Sequence, residues 1–171
     1  MNHDSYGDDY IREVLTSTKV IAMVGASATP SRPSYFALKY LIGKGYRVIP
    51  VNPALAVQQI FGQRVVASLD QIAGPIDMVD IFRNSEAALE VTRAAIRLGA
   101  KVVWMQLGVR NEEAAQLAET AGLKVVMNRC PKIEYGRLSG EIGWLGFNTG
   151  SISSKRPLLA PGVQRHVIAR T

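Results

Sequence analysis

At 171 residues the chain fits one domain of ordinary size, long enough to bury a hydrophobic core without staples from disulfides or metals. Hydrophobic residues at 47% and charged residues at 20% exclude wholesale disorder, and a single cysteine, Cys130, excludes an internal disulfide and a thiolate zinc cluster and suits a reducing compartment. The net charge of +6 and a pI near 9.7 favour anionic partners, but Lys155, Arg156, Arg165 and Arg170 place much of the excess near the C-terminus, and no basic face with interleaved aromatics argues for nucleic acid.

No apolar run reaches the length needed to cross a bilayer, and residues 1–5 have neither the basic start nor the apolar stretch of a signal peptide. A cytoplasmic protein with no membrane and no nucleic-acid partner is expected. In chain order, residues 8–15 read as a short helix, and the apolar run 19–24 ending at Gly25 reads as a strand buried on both faces. Ser34 is the expected cap of a second helix, in which Tyr35, Leu38, Leu41 and Ile42 recur at helical spacing before Gly43 and Gly45. Residues 46–51 form a second strand. Residues 52–74 read as a long connection with a short strand at Val65 and Val66 and a helical turn from Leu69 to Ile72.

The alternation then repeats. Strands are expected at 77–82, 101–106 and 123–127, with helices between them capped by Asn84 or Ser85 and by Asn111. One more short helix is expected within 133–144, and residues 151–171, rich in Ser, Arg, Pro and Gly, read as a mobile tail behind a domain of residues 1–150. Such alternation predicts an α/β, doubly wound, mainly parallel five-stranded sheet with helices on both faces. Sheets of this kind bind ligands beyond the carboxyl ends of their strands, so function is sought just after each strand.

After the first strand, Gly25-Ala26-Ser27 permits a tight turn in which backbone N–H groups approach a phosphate, and Arg32, Pro33 and Ser34 lead into the next helix. The dinucleotide fingerprint G-x-G-x-x-G is missing, because Ser27 and Pro30 occupy its second and third glycine positions. Arg32 suits a phosphate bidentately; equally, Gly25 serves only the turn and Arg32 only the solvent. Asn52, after Val51 and before Pro53, stands where dinucleotide sites place an acid for the ribose; it suits a phosphorylated ribose, and it suits a plain turn.

Phe82 and Arg83 end the third strand, offering an apolar wall and a second cation, with core packing the competing role for Phe82. Gln106 and Gly108 follow the fourth strand and Asn128 the fifth; each polar side chain suits an amide or phosphate of a ligand, or the loop backbone. Trp104 reads as core. Cys130 reads as a small buried group, with a second reading in which Arg129 lowers its thiol pKa and the sulfur forms a mixed disulfide or senses oxidation.

Val24-Gly25-Ala26-Ser27, Arg32-Pro33-Ser34, Val48-Ile49-Pro50-Val51-Asn52-Pro53, Asp80-Ile81-Phe82-Arg83, Trp104-Met105-Gln106-Leu107-Gly108 and Asn128-Arg129-Cys130-Pro131 together resemble the small stand-alone CoA-binding proteins of bacteria and archaea. These are similar to the N-terminal domain of the succinyl-CoA synthetase α subunit. The resemblance implies a Rossmann-like sheet and coenzyme A or an acyl-CoA as ligand. It implies that Gly25, Ala26, Ser27, Arg32, Pro33 and Ser34 hold the phosphates, that Val51, Asn52 and Pro53 border the nucleotide, that Phe82 and Arg83 touch the adenosine end, and that Gln106, Gly108 and Asn128 line the rest of the cleft.

The two histidines, His3 and His166, lie near opposite termini, so neither a phosphohistidine relay nor a Ser-His-acid set falls at the strand ends. A non-catalytic carrier or sensor is the first expectation. An NAD(P)-linked redox protein and an interaction module that lost its ligand are the alternatives.

Overall fold

The computed structural model describes residues 1–141; the expected tail at 151–171 and the last residues of the 1–150 domain lie outside the described residues. The order of elements is α1 (Asp8–Ser17), β1 (Val20–Val24), α2 (Pro33–Gly43), β2 (Arg47–Val51), β3 (Gln59–Ile60), β4 (Gln63–Arg64), β5 (Met78–Ile81), α3 (Ser85–Arg97), β6 (Val102–Met105), α4 (Glu112–Thr120), β7 (Lys124–Val126) and α5 (Pro131–Leu138). The main sheet is five-stranded in the order β2-β1-β5-β6-β7, and each of its strand pairs is parallel. The expected α/β, doubly wound fold is therefore what the chain adopts.

Strand alternation divides the core into two layers. Ile21, Met23, Met78 and Trp104 face α1, α2 and α5, where Leu15, Leu38 and Tyr135 meet them. Ala22, Val79, Ile81, Val103 and Met105 face α3 and α4, whose contacting residues are mostly alanines, Ala88, Ala95, Ala114 and Ala118. Small residues let these two helices lie close to the sheet. Parallel strands buried on both faces need such continuous apolar runs, which is why the strands read so plainly.

Both edges of the sheet are covered. Along β7, the Tyr10 hydroxyl lies 3.1 Å from both the N–H and the carbonyl oxygen of Val125, and the Tyr6 hydroxyl accepts from the Met127 N–H at 2.7 Å. Along β2, Val66 bridges in parallel to Val51, donating to Pro50 O at 3.0 Å and accepting from Asn52 N at 2.9 Å. Pro50, which lacks an N–H, is tolerated because this is an edge strand.

The 52–74 connection is more structured than expected. Beside the Val66 bridge and two 3-10 turns, at Pro53–Leu55 and Leu69–Gln71, it contains the antiparallel hairpin of β3 and β4. Its turn residues Phe61 and Gly62 both have positive φ, 50° and 74°. Tight hairpins demand such angles, normally from Asn, Asp or Gly at the first position. Phe61 is held there by its ring, which packs 4.6 Å centroid to centroid from Tyr35. No local turn signal announces this, so the hairpin is absent from the sequence reading. The last helix also begins earlier than expected, at Pro131, because proline's fixed φ and missing N–H suit the first helical position.

At the amino edge, Asp77 accepts from the backbone N–H groups of Lys19 and Val20, both at 2.9 Å, and from Lys101 Nζ at 2.8 Å. Burial pushes its carboxyl up, but the Lys101 ammonium and the two amides outweigh burial and hold it below the usual range. The folded state thus binds its proton more weakly than the unfolded chain, and the stabilisation is present above the ordinary carboxylate value and lost as pH falls through the folded one. Asp77→Ala is expected to lower unfolding stability by about 1.5–3 kcal/mol in urea at neutral pH. The gap between variant and parent should close on acidification below about pH 4.

Candidate functional site

From β1 the chain crosses to β2 on one side and then to β5 on the other, so the carboxyl ends of β1 and β5 form a topological switch point where a crevice opens. Gly25 occupies it. Its φ of +87° is costly for other residues, and a Cβ there would stand 2.3 Å from the carbonyl oxygen of Phe82. The Gly25 amide donates to Val51 O at 2.9 Å, tying the turn to β2. Within the following loop, Ser27 Oγ accepts from the Thr29 amide at 3.1 Å.

The start of α2 differs from expectation. Ser34 does not cap the helix; Arg32 stands at the cap with extended backbone and no side-chain cap bond, Pro33 takes the first helical position, and Ser34 is buried within the first turn. The cause is again proline's preference for the first turn. Without a side-chain acceptor, the positive end of the helix remains open to an anion at the cleft.

Asn52 uses both ends of its amide on backbone. Nδ2 donates to Ala26 O at 2.7 Å and Oδ1 accepts from Ala54 N at 2.9 Å, so the side chain fastens the first loop to the end of β2. Of the two sequence readings, the turn role is therefore directly visible. Asn84, by contrast, caps α3 as expected, accepting from Ala87 N at 3.1 Å.

These elements enclose a cavity of about 750 Å³ lined by Gly25, Ala26, Ser27, Arg32, Pro33, Ser34, Asn52, Phe82, Arg83 and Gln106, all expected from the sequence. A second cavity of about 330 Å³ shares Gly25, Asn52 and Arg83 with it and adds Val51 and Pro53. Gly108 and Asn128 line neither. Gly108 donates its N–H to Asn128 Oδ1 at 2.8 Å, and Asn128 has a φ of 53°, so the pair shapes the loop that presents Leu107 and Val109 instead.

Phe36, Leu107, Val109, Lys132 and Ile133 also line the larger cavity, and sequence reasoning missed them. Phe36 lies on α2 beyond its capping region, where strand-end logic does not look. Pro131 was the available signal for the other side: a proline shortly after β7 starts α5 and brings Lys132 and Ile133 to the carboxyl edge. Trp104 is core, as read, and its Nε1 donates to Arg129 O at 2.8 Å, steadying the turn before α5.

The larger cavity carries three cations, Arg32, Arg83 and Lys132, and no carboxylate among the residues that line it. Among the described residues none of the three forms an ion pair. Beneath this wall, Asp80 is fully buried, accepts from Gln106 Nε2 at 2.9 Å through Oδ1, and has no partner on Oδ2 among the described residues. Burial pushes its carboxyl up to about 7 against the opposing Gln106 bond. Burial likewise pushes the Cys130 thiol up, aided by Asp80 and opposed by the Ile133 and Lys132 amides. The expected lowering by Arg129 does not occur, because that guanidinium is directed to the carbonyls of Asn128 and Asp4 and toward Glu134.

Residues 19–136 match the family described as the CoA binding domain. The chain belongs to that family. The chain is also similar to the uncharacterized protein YneT of Bacillus subtilis (strain 168), 40% identical over 125 residues that cover 73% of this chain and 91% of YneT. The α subunit of the ADP-forming acetate–CoA ligase I of Pyrococcus furiosus is 32% identical over 120 residues, which cover 64% of this chain but 26% of that subunit. Among solved structures, a hypothetical protein from Pyrococcus horikoshii OT3 superposes with a TM-score of 0.76 at 41% identity, covering 81% of this chain and 96% of that one. Among the described residues no helix is long and apolar enough to cross a membrane, and no group of three or more His, Cys, Asp or Glu side chains is placed to hold a metal.

Two outcomes follow from this geometry. Gly25→Ala is expected to cost about 2 kcal/mol or more, since it adds left-handed strain to the close contact with Phe82; denaturant unfolding measures it. For Asp80 the sign is opposite to that of Asp77. Its folded value of about 7 lies above the unfolded one, so the folded state keeps a proton that the unfolded chain has released, and stability declines as pH rises between about 4 and 7. Asp80→Asn should flatten that decline in melting curves taken across the window.

Proposed function

We propose that the protein binds coenzyme A as a stand-alone, non-catalytic module, a carrier or sensor. The observation that carries this reading is the acid-free cavity at the switch point, where the backbone at Gly25 and the open start of α2 stand beside Arg32 and Arg83. Backbone N–H groups and two guanidiniums answer the chemistry of a diphosphate. Membership of the CoA binding domain family supports the same ligand.

In this reading the diphosphate lies against Gly25, Ala26 and Ser27, with Arg32 and Arg83 on either side. The adenosine end takes the smaller cavity bordered by Val51, Asn52, Pro53 and Arg83. The pantetheine arm runs along the larger one toward Gln106, whose Nε2 is committed to Asp80 and whose Oε1 is the atom left to accept from an amide. The neutral Asn52 sets no charge against a phosphorylated ribose at the end of β2, and the two acids that also line the smaller cavity, Asp70 and Glu90, are paired with Arg97 and Arg93. A passive role is supported by the raised Cys130 thiol and by the placement of His3, buried beside Tyr6 and Glu119.

Titration calorimetry with CoA, dephospho-CoA, NADH and ATP tests the reading. CoA is expected to bind most tightly, and dephospho-CoA to lose roughly tenfold or more, the worth of about one charge-assisted hydrogen bond. Arg32→Ala and Arg83→Ala should each weaken CoA by about ten- to a hundredfold on the same scale. CoA binding no tighter than NADH, or unchanged by both substitutions, would overturn it.

A further inference from the structure

Among the described residues six large apolar side chains are exposed, and three of them, Phe36 at 50%, Leu107 at 55% and Ile133 at 43%, line the one cavity that also holds Arg32 and Arg83. They come from three separate elements: α2, the loop after β6 and the start of α5. The sheet order places the ends of β6 and β7 on the side of β5 away from β1 and β2, so the cavity runs from a phosphate-like end at Gly25 toward an apolar end at the β7 edge. Lys132 stands at that end too, with its ammonium set against ring faces. Its Nζ lies 5.8 Å from the Phe36 ring centroid and 5.9 Å from that of Tyr40.

A ligand that is polar throughout would leave this rim in water, whereas apolar side chains gathered from three elements around a concave site match a ligand whose far end is apolar. Resting on the reading that the cleft takes coenzyme A, we propose that its ligand is an acyl thioester of CoA with an uncharged hydrocarbon chain of several methylenes. The chain lies between Phe36, Leu107 and Ile133, and the free thiol form is the weaker binder. The raised Cys130 thiol at the same end accords with a neighbour that remains a neutral thiol beside a thioester.

The test is calorimetry on the full chain with CoA, acetyl-, butanoyl-, hexanoyl-, octanoyl- and succinyl-CoA, repeated on the double variant Phe36→Ser/Ile133→Ser, whose folding is checked by circular dichroism and melting. Affinity is expected to rise with chain length by up to about fourfold per methylene buried, and the double variant to lose that slope whatever its affinity for CoA itself. Three results overturn the proposal: a flat series, a slope that survives the double substitution, or succinyl-CoA binding more tightly than hexanoyl-CoA. If CoA binds and the series is flat, the acyl proposal alone fails; if neither CoA nor any thioester binds, the CoA reading fails with it.

Discussion

The tightest steric constraint at the cleft is the approach of Gly25 to the carbonyl of Phe82. Two parallel strands end side by side there, and the chain must leave one of them without covering the mouth of the crevice. Any side chain at position 25 would have to displace the backbone of Phe82, just past the end of β5, and not a mobile group, so the turn and the exit from the strand are set by the same contact. Asn52 continues that constraint across the other neighbour, since its amide bridges the first loop and the turn after β2. Backbone from β1, β2 and β5 is thereby locked into one rim before any ligand contributes.

Charge is distributed to match. The cations of the larger cavity stand on its walls without acidic partners among the described residues, whereas Arg93, Arg97, Arg110 and Arg137 elsewhere are each paired. Unpaired cations facing one another across a cleft repel, and an anion relieves that repulsion. The buried carboxyl of Asp80 lies under the same wall with one oxygen unbonded, and burial keeps it closer to neutral than a surface acid, so it subtracts less from the positive field of the cleft.

The five strands of the sheet and the helices that cross between them were legible because burial on both faces leaves uninterrupted apolar runs, as at Val20–Val24 and Val102–Met105. The cationic side of the cleft was legible for a related reason: Gly25 and Arg83 stand just past strands and Arg32 in the loop after one, and topology sends strand ends to one place. What could not be read depends on tertiary neighbours. Phe61 holds a left-handed turn only because Tyr35 is beside it, and Phe36 reaches the cavity only because α2 lies against α5. Gly108 and Asn128 sit at the right strand ends yet bond to each other, a choice between ligand and loop that residue type leaves open.

The tyrosine hydroxyls along β7 and the Val66 bridge along β2 have a consequence for how this molecule meets others. An open row of amide and carbonyl groups on a border strand is a template onto which a foreign strand adds, and a chain of parallel β units is slow to close its sheet and so especially prone to such growth. Here Tyr6 and Tyr10 supply hydroxyls where a sixth strand would bring peptide groups. Tyr6 and the Tyr10 of α1 therefore stand between the β7 border and strand addition, in a sheet whose strands are otherwise well suited to it.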